Sequence, residues 1–484
     1  MTDDRYGWAL LGFALLCLQC GGSGDSGSTS ATGQDTSPEK AISACGEVSE
    51  NVVLDADLST GNASCLVVTA GNVTIDGAGH RITAGQFAIQ WTDESGVTVK
   101  NVVSDQALQM FGANASHNVV TDSTFGSLSI ARGDDNTVQN SQLGSLSILG
   151  EANDPAQRET VSGNVISGTL THTEQKLVEI ITGTDGSLET DGTIHCAEGA
   201  HSIVGNQITG TVVSTDPTTE PELLHVRCGT GSVINENTIR TDQRAAGILL
   251  RDGADDNLVE NNVVTIGDAN EGALFIQSGS AGEHHPRNNT IQGNLFRATK
   301  GRSFWLQANA TRGNAFQDNI FASDDATSEA VRLTDGTGVD TSFDHNTFYR
   351  GGSGTLIVFR DLGLGINRFS SNIFAYGGGP SSVFAFDSLK NLAGYSGDRN
   401  TFFGANAAVK FGSSGSTLCQ WRSQTGQDLD SVEGDPAFTS PSTGDFHLAS
   451  TSAARCTGEN GSDAGALPSN DASTCPAIRP PTCP

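Results

Sequence analysis

An eight-residue pattern with apolar third and eighth positions recurs along the chain from residue 96 onward. Representative copies are ETVSGNVI at 159, NTIQGNLF at 289 and NRFSSNIF at 367. Twelve copies, three of them looser than the rest, repeat about every 27 residues, a period that is typical of stacked structural units. The pattern therefore predicts a repeat architecture, and the usual relation between chain length and domain number does not apply to the 484 residues.

Two positions of the pattern carry one residue type in many copies. The sixth position is Asn in ten of the twelve copies, at 101, 164, 206, 237, 262, 294, 319, 346, 372 and 400. Asn tolerates left-handed backbone, and its amide can hydrogen-bond to the same amide one repeat away, so we expect a stacked Asn row at a turn between two strands. The last five residues at the eighth position are Phe296, Phe321, Phe348, Phe374 and Phe402, which predicts an aromatic row inside the core.

Each repeat is predicted to contain two or three short strands. Apolar residues come in short runs, Gly and Asp mark the turns, and no helical period is visible. This pattern is typical of a coil of a parallel β-helix. Leucine-rich and propeller repeats fit worse, because the sequence contains neither LxxLxL nor a Trp-Asp signature.

Two segments flank the repeats. CGEVSENVVLDADL starts at Cys45 and leads to TIDGAGHRI, which ends at Ile82, and GQDLDSVEGDPAFTSPSTGDFHLASTSAA covers 426–454. Together with the repeats, they resemble secreted right-handed parallel β-helix proteins of the pectin-lyase-like superfamily over roughly residues 45–468. The resemblance implies an all-β fold, a single-stranded right-handed parallel β-helix, and the repeats suggest about 12–13 coils. It implies no particular reaction, since this framework carries lyases, hydrolases, epimerases, adhesins and inert stalks.

A second predicted strand precedes the pattern in each repeat and has apolar second and fourth residues. Because side chains of a strand alternate between faces, its third and fifth residues should form two outward columns, with coils about 4.8 Å apart. Near the middle of the chain these columns contain His225, Arg227, Arg251, Phe275, Gln277, Trp305, Gln307, Arg332 and Arg360. Aromatic rings stack on sugars and guanidinium groups hold carboxylates or sulfates, so the columns predict binding of an acidic polysaccharide. The alternative is that a loop such as 283–288 covers the aromatic residues and that each Arg pairs with a nearby acidic residue.

The same columns contain the candidates for catalysis. Elimination from a uronate needs a base and a cation that neutralises the acid group, and these roles are open to His225, Arg227, Arg251 and Arg332. If the protein is an enzyme, a polysaccharide lyase is therefore favoured over a glycoside hydrolase. Two other classes remain open, a non-catalytic carbohydrate-binding or adhesion protein and a structural envelope protein.

Acidic turns provide the evidence for the less favoured chemistries. The pairs Asp134–Asp135 and Asp255–Asp256 resemble the paired carboxylates of hydrolases, but their position at turns favours solvated residues. Such turns could also bind Ca²⁺, although the repeat GGxGxDxUx of calcium-binding β-helices does not occur. We predict no metal site and no cofactor, with Ca²⁺ as the open alternative.

The composition narrows the choice of partners and location. A net charge of −29 disfavours nucleic acid as a partner. The apolar run 8–18 suits a signal peptide and is too short to span a bilayer. Cys20 follows that run and precedes a Gly/Ser-rich stretch, which predicts lipidation at Cys20 and contact with a membrane only through this lipid anchor. A plain secreted protein is the alternative.

Eight further cysteines indicate disulfides, since their number is even and the chain is predicted to be exported. Neighbours in sequence suggest the pairs Cys45–Cys65, Cys196–Cys228, Cys419–Cys456 and Cys475–Cys483. Zinc is disfavoured, because no CxxC pair accompanies them. The predicted organisation is a signal sequence at 1–20, a tether at 21–40, the β-helix at 41–425 and a disulfide-containing closing segment at 426–484, in an outer-membrane, cell-surface or secreted protein of unspecified oligomeric state.

Overall fold

The computed structural model describes residues 39–469, except 62, 151–154, 172–175, 183–198, 214–219, 279–284, 308–311, 325–328, 335–339, 361–365, 378–380, 387–391, 405–406 and 412–413. The chain divides into two units, Met1–Pro38 and Glu39–Pro484, and all described residues belong to the second. The predicted signal sequence and Cys20 lie outside the described residues.

The first sheet contains the third position of the sequence pattern and consists of fifteen parallel strands. Most of them are three residues long with a buried central side chain, as expected for short strands that present one residue to a core. The strands are Lys40–Ile42, Val52–Leu54, Thr74–Asp76, Thr98–Lys100, Val119–Thr121, Thr137–Gln139, Thr160–Ser162, Ser202–Val204, Val233–Asn235, Leu258–Glu260, Thr290–Gln292, Ala315–Gln317, Thr341–Asp344, Asn367–Ser370 and Tyr395–Asp398.

The second sheet is built from the strands that precede the pattern, and it contains sixteen strands. All pair in parallel except the last, which turns back antiparallel on its neighbour. The strands are Gly46–Val48, Leu66–Val68, Phe87–Thr92, Ala107–Phe111, Ser127–Ala131, Leu146–Leu149, Lys176–Ile181, Glu222–Arg227, Ala246–Arg251, Leu274–Gln277, Phe304–Gln307, Val331–Thr334, Gly354–Phe359, Ser381–Phe386, Ala407–Phe411 and Ser414–Ser416.

The third sheet begins with the seventh and eighth positions of the pattern and has twelve parallel strands. The strands are Thr124–Phe125, Gln142–Leu143, Val165–Leu170, Gln207–Val212, Thr238–Arg244, Val263–Ala269, Leu295–Gly301, Ile320–Ser323, Thr347–Arg350, Ile373–Tyr376, Thr401–Phe403 and Val432–Glu433. Two small sheets, Leu58–Ser59 with Ile82–Thr83 and Phe438–Ser440 with Asp445–Leu448, one α-helix, Leu418–Thr425, and the 3₁₀ turns Pro441–Thr443 and Glu459–Gly461 complete the described elements.

Each full coil runs from the first sheet through the third to the second, and the next coil pairs with it in parallel. The predicted all-β right-handed parallel β-helix is confirmed. The twelve strands of the third sheet agree with the 12–13 coils expected from the repeats. The first sheet contains more strands, because Lys40–Ile42 and Val52–Leu54 join it from the N-terminal segment without carrying the pattern.

The Phe row lies in the core, as the eighth position predicted. Phe296, Phe321, Phe348 and Phe374 are buried and stack in consecutive coils with ring centroids 5.2–5.5 Å apart. Stacked aromatic rings at this spacing are favourable beyond the area that they bury. The row therefore fixes the rotation of one coil relative to the next.

The Asn row is also present, at the turn between the first and third sheets. From Asn164 to Asn372 each side-chain Nδ2 donates to Oδ1 of the next Asn in the row, and the last member, Asn400, donates to Oδ1 of Asp428. Asn101 is different, since it is exposed and donates to Asp76.

A covalent link and a packed segment close the two ends. The Cys45–Cys65 disulfide is present, as predicted. Cys228, Cys419 and Cys456 are also disulfide-bonded, whereas Cys196, Cys475 and Cys483 lie outside the described residues, so the other pairings stay predictions. After residue 434, a segment that includes Phe446 and Leu448 forms a second apolar cluster against the outer surface of the third sheet.

Candidate functional site

The second sheet aligns the two predicted columns. In consecutive strands, His225, Leu249, Phe275, Trp305 and Arg332 are direct Cα partners. In the adjacent column the partners are Arg227, Arg251, Gln277, Gln307 and Thr334. Side chains from five consecutive coils therefore stand in line along the sheet.

Glu179 was missed by sequence reasoning, although it occupies the column position directly before His225. The interval between the copies of the pattern at 159 and 201 is longer than the others, so its strand KLVEII at 176–181 was not aligned with the rest. The alternation of apolar residues around Glu179 was the signal that could have found it.

The expectation that the whole column faces solvent is wrong for His225 and Phe275. Their exposed fractions are 2% and 1%, and Leu249 between them is equally buried. The physical reason is that in-register side chains of a column cover one another. Phe275 lies between Leu249 on one side and Trp305 on the other, and its ring stacks on Trp305 with centroids 5.0 Å apart.

Trp305 is half-buried, and its ring is already in contact with protein groups. Phe275 belongs to the preceding coil, and the guanidinium carbon of Arg332, from the following coil, lies over the ring at 5.0 Å. Arg302 adds a second guanidinium at 4.9 Å, and the indole N–H donates to Thr334 Oγ1 at 2.9 Å. The two faces of the Trp305 ring are therefore in contact with neighbouring side chains, and only its edge is available to a ligand.

Two guanidinium groups, those of Arg302 and Arg332, contact one carboxylate next to Trp305, and the charge of a third, Arg360, acts on Arg332; we call Arg302, Arg332, Arg360 and Glu329 the guanidinium cluster. Arg302 pairs with Glu329 at 2.9 Å, and Arg332 contacts the same carboxylate. Burial and then the charge of Arg302 lower the pKa of Arg332, and Arg360 adds to this effect. Positive charge thus outnumbers negative charge among these four side chains.

Arg227 and Arg251 each pair with a nearby acidic residue, which is the alternative that the sequence analysis left open. Both contact the buried carboxylate of Asp252, at 2.8 and 3.2 Å. They retain side-chain exposures of 17% and 33%. These arginines therefore stabilise the turn that follows Ala246–Arg251, and they remain partly exposed in the columns.

A second group, which we call the Glu222 cluster, consists of Lys176, Glu179, Glu222 and His225. Lys176 pairs with Glu179, and Nδ1 of His225 lies 3.2 Å from Glu222 and 4.0 Å from Glu179. Burial raises the pKa of Glu222 to about 7. Burial lowers the pKa of His225 well below its ordinary value, and the charge of Lys176 adds to this. The imidazole is therefore neutral at neutral pH.

A further buried carboxylate, that of Glu220, precedes Glu222 by two residues in the chain. Glu220 accepts the backbone N–H groups of Asn270 at 2.9 Å and Glu271 at 3.1 Å. Burial and then the nearby Glu271 raise the pKa of Glu220 to about 8. Several strongly perturbed groups concentrated on one face are typical of a functional site.

The acidic turns form ion pairs and backbone hydrogen bonds instead of acid/base pairs. Arg158 contacts both Asp134 and Asp135, at 3.3 and 2.7 Å, and its hydrogen bond lowers the pKa of Asp135. Asp255 accepts the backbone N–H of Arg287 at 2.8 Å. Where the structure describes the chain, no three His, Cys, Asp or Glu side chains converge in a way that could hold a metal ion.

Part of the chain is similar to a known protein family. Residues 223–353, which contain the centre of both columns, match a family described as "Periplasmic copper-binding protein (NosD)". The described residues do not fit a copper ion, because they contain no such ligand group and their cysteines are disulfide-bonded. We therefore derive no step through copper. No curated protein matches the chain.

Several solved structures are similar in fold. XylC in complex with xylose is 12% identical, with 78% of this chain and 56% of that chain covered at a TM-score of 0.33. A mannuronic acid specific family 6 polysaccharide lyase from human gut microbiota is 12% identical, with coverage of 82% and 86% and a TM-score of 0.37. A tailspike protein mutant of E. coli bacteriophage HK620 is 12% identical, with coverage of 80% and 66% and a TM-score of 0.31. The chain thus spans little more than half of the first of these proteins, and the likeness concerns the fold alone.

One further finding concerns membranes. Among the described residues, no helix has both the length and the apolar character needed to cross a bilayer.

Proposed function

We propose that the protein is exported and binds an acidic polysaccharide along the outward columns of the second sheet, from Glu179 to Arg360. The observation that carries this proposal is the guanidinium cluster, in which Arg302 and Arg332 share the carboxylate of Glu329 and the charge of Arg360 acts on Arg332 without a carboxylate of its own in the cluster. Guanidinium groups bind carboxylates and sulfates through paired charge-assisted hydrogen bonds. Export is supported by the apolar run 8–18 and by the periplasmic description of the family that matches residues 223–353.

Recognition combines charge and hydrogen bonds from several coils. Arg360 is exposed and Arg332 is half-buried, so both can meet an acid group of the polymer. Gln277 and Gln307 are half-buried amides in the two coils that precede Arg332, where they can hydrogen-bond to sugar hydroxyls. Because neighbouring coils are about 4.8 Å apart, an extended polymer lying along the sheet can contact both kinds of group.

This form of binding differs from the stacking on Trp305 that the sequence suggested. The faces of that ring contact Phe275 and two guanidinium groups, so the indole orients Arg302 and Arg332 and does not provide a platform for a sugar. Binding then depends mainly on charge and hydrogen bonds. It should weaken as salt concentration rises, since exposed charges are screened within about 8 Å at physiological ionic strength.

The test is a titration of the folded protein with polygalacturonate and with alginate, using uncharged dextran as the neutral control. We expect binding to an anionic polymer, several-fold weaker binding in high salt, and a roughly tenfold loss for Arg360→Ala. The matched control is Arg240→Ala, because Arg240 is an exposed arginine of the third sheet with a side-chain exposure of 59%. Equal affinity of both variants would contradict the proposed site, and absence of binding to either anionic polymer would favour a structural envelope protein.

A further inference from the structure

Two carboxyl groups from neighbouring coils approach the same imidazole nitrogen. Nδ1 of His225 lies 3.2 Å from Oε2 of Glu222 and 4.0 Å from Oε1 of Glu179. Glu222 and His225 belong to one strand, and Glu179 is the Cα partner of His225 in the preceding one. The β-helix therefore places two glutamate side chains beside one imidazole at one end of the outward columns.

The imidazole between them is buried but incompletely satisfied. His225 is 2% exposed, and its Nε2 has no hydrogen-bond partner among the described residues. Oε2 of Glu222 is likewise buried without a hydrogen bond in that part of the chain. Buried polar atoms without partners are rare in folded proteins, and they are found where a ligand or a proton transfer supplies what is missing.

The side chains of both glutamates remain partly exposed, although Oε2 of Glu222 itself is buried. Side-chain exposures are 14% for Glu222 and 21% for Glu179, and Lys176 beside them retains 28%. The cluster is thus neither a fully buried structural network nor a solvated surface pair. Such partial burial is what an acid and a base acting on a bound polymer require.

We propose that Glu222 and Glu179 form an acid–base pair that hydrolyses a glycosidic bond of the polysaccharide bound on this face. This inference rests on the proposed function, since it uses the same columns to position the polymer. His225 is a positioning residue, because it contacts both carboxyl groups and is itself buried away from the polymer.

The reaction consumes one water molecule for each bond cleaved. Glu222 gives its proton to the glycosidic oxygen as the bond from that oxygen to the anomeric carbon breaks, and the leaving sugar departs as an alcohol. Glu179 accepts a proton from the attacking water, whose oxygen bonds to the anomeric carbon and creates a new reducing end. The proton taken up by Glu179 returns to Glu222 through solvent or His225, which restores the starting state.

The environment of Glu222 suits the role of the acid. Burial raises its pKa to about 7, and the neighbouring carboxyl groups of Glu271 and Glu179 act in the same direction. Lys176 and Arg251 oppose them. A carboxyl group that keeps its proton near neutral pH is the usual general acid of glycoside cleavage.

Hydrolysis fits this geometry better than the elimination that the sequence favoured. Of the proposed bases, His225 is buried, and Arg227, Arg251 and Arg332 each contact a carboxylate. Elimination would need one of them to take a proton from the sugar ring. Glu179 is also paired, with Lys176, but it is already an ionised carboxylate and can accept a proton from water without first losing one.

The experiment measures new reducing ends and the ultraviolet absorbance of unsaturated uronates during incubation with polygalacturonate and alginate, alongside binding to the same polymers. For Glu222→Gln and Glu179→Gln we expect at least a roughly hundredfold slower release of reducing ends with affinity unchanged within about twofold. The wild-type rate should fall as pH rises above about 7, and no unsaturated product should form. Glu236→Gln serves as the matched control, because Glu236 is exposed and belongs to neither column.

Each contrary result has a distinct meaning. Binding without release of reducing ends, release with unsaturated uronates, or a wild-type rate in Glu222→Gln would overturn the acid–base pair and leave the binding proposal intact. Absence of binding to both polymers would overturn the proposed function itself. Thermal midpoints of the variants within a few degrees of wild type ensure that a lost activity is not a lost fold.

Discussion

Asn319 donates its side-chain amide to Oδ1 of Asn346 at 3.0 Å and, from the same nitrogen, to the carbonyl of Ile291 at 2.7 Å. Its own Oδ1 accepts both the backbone N–H and the side-chain amide of Asn294, at 3.1 and 2.9 Å. All three Asn side chains are buried. Each Asn is therefore one link of a continuous polar seam that closes a turn in coil after coil.

Asn319→Ala should destabilise the protein strongly without changing polysaccharide binding. The change removes the acceptor of the backbone N–H of Asn294 and one of the donors to the carbonyl of Ile291 and to Oδ1 of Asn346, all in a buried site, which costs on the order of 3 kcal/mol. Circular dichroism during heating measures the effect as a lower midpoint. The control is Gln317→Ala, an exposed amide two residues earlier in the chain. Similar midpoints for both variants would contradict the role of the row.

The Asn and Phe rows could be predicted because one residue type recurs at one position of the pattern. A second polar row could not, since its members differ in chemistry. It passes through Asn136, Glu159, His201 and Ser232, which are linked by hydrogen bonds from backbone N–H groups to the next side chain. All four stand at the first position of the sequence pattern, so the sequence aligns them, but only the structure shows that they share one hydrogen-bonding role.

The candidate site, too, could be predicted from the sequence only in part. Alternation along the strands was enough to place His225, Phe275, Trp305 and Arg332 in one column. Alternation does not reveal how deeply a residue is buried, because burial depends on the neighbouring coils. Phe275 was expected in solvent for this reason, and it is buried by Leu249 and Trp305.

Phe275→Ala should therefore destabilise the protein, although the residue lies on the outward side of its strand. Loss of a buried phenyl ring costs roughly 3 kcal/mol or more, and removal of the stack on Trp305 adds to this. Phe111→Ala is the control, because Phe111 belongs to the same sheet but is 37% exposed. We expect a clearly lower unfolding midpoint only for the first variant, and equal midpoints would mean that the column is not packed.

Removal of the Cys45–Cys65 disulfide should loosen only the N-terminal coils. The two cysteines are 20 residues apart, and a link of this length contributes roughly 3 kcal/mol in the chain-entropy account. Stacked coils contact only their neighbours, so the loss should stay local. For a Cys45→Ala/Cys65→Ala variant, hydrogen exchange should accelerate in Gly46–Val48 and Leu66–Val68 and remain unchanged in Phe304–Gln307. A uniform acceleration along the rod would contradict local unfolding.

His201 should make the protein sensitive to acid. Its Nδ1 accepts the backbone N–H of Glu159 at 3.3 Å, so the neutral ring carries its proton on Nε2, which donates to Thr182 Oγ1 at 2.9 Å. Protonation of Nδ1 would break the first of these bonds in a buried site. Accordingly, burial lowers the pKa of His201 from 6.5 to about 4.

The sign of the effect follows from these two values. Above pH 6.5 the residue is neutral in both the folded and the unfolded chain and contributes no pH dependence. Between pH 6.5 and about 4 the unfolded chain binds a proton that the folded chain does not, so the free energy of unfolding decreases as pH falls.

His201→Asn is the variant that isolates this contribution. Asn occupies the equivalent place in the row at Asn136 and Asn257, where its Oδ1 accepts a backbone N–H as Nδ1 of His201 does. Unfolding midpoints measured from pH 8 to 4 should diverge below about 6.5, with wild type losing more stability than the variant. Glu159 is present in both proteins, so its titration cancels in the difference. Parallel curves across the whole range would show that His201 can be protonated in the folded protein and that its burial does not govern the acid response.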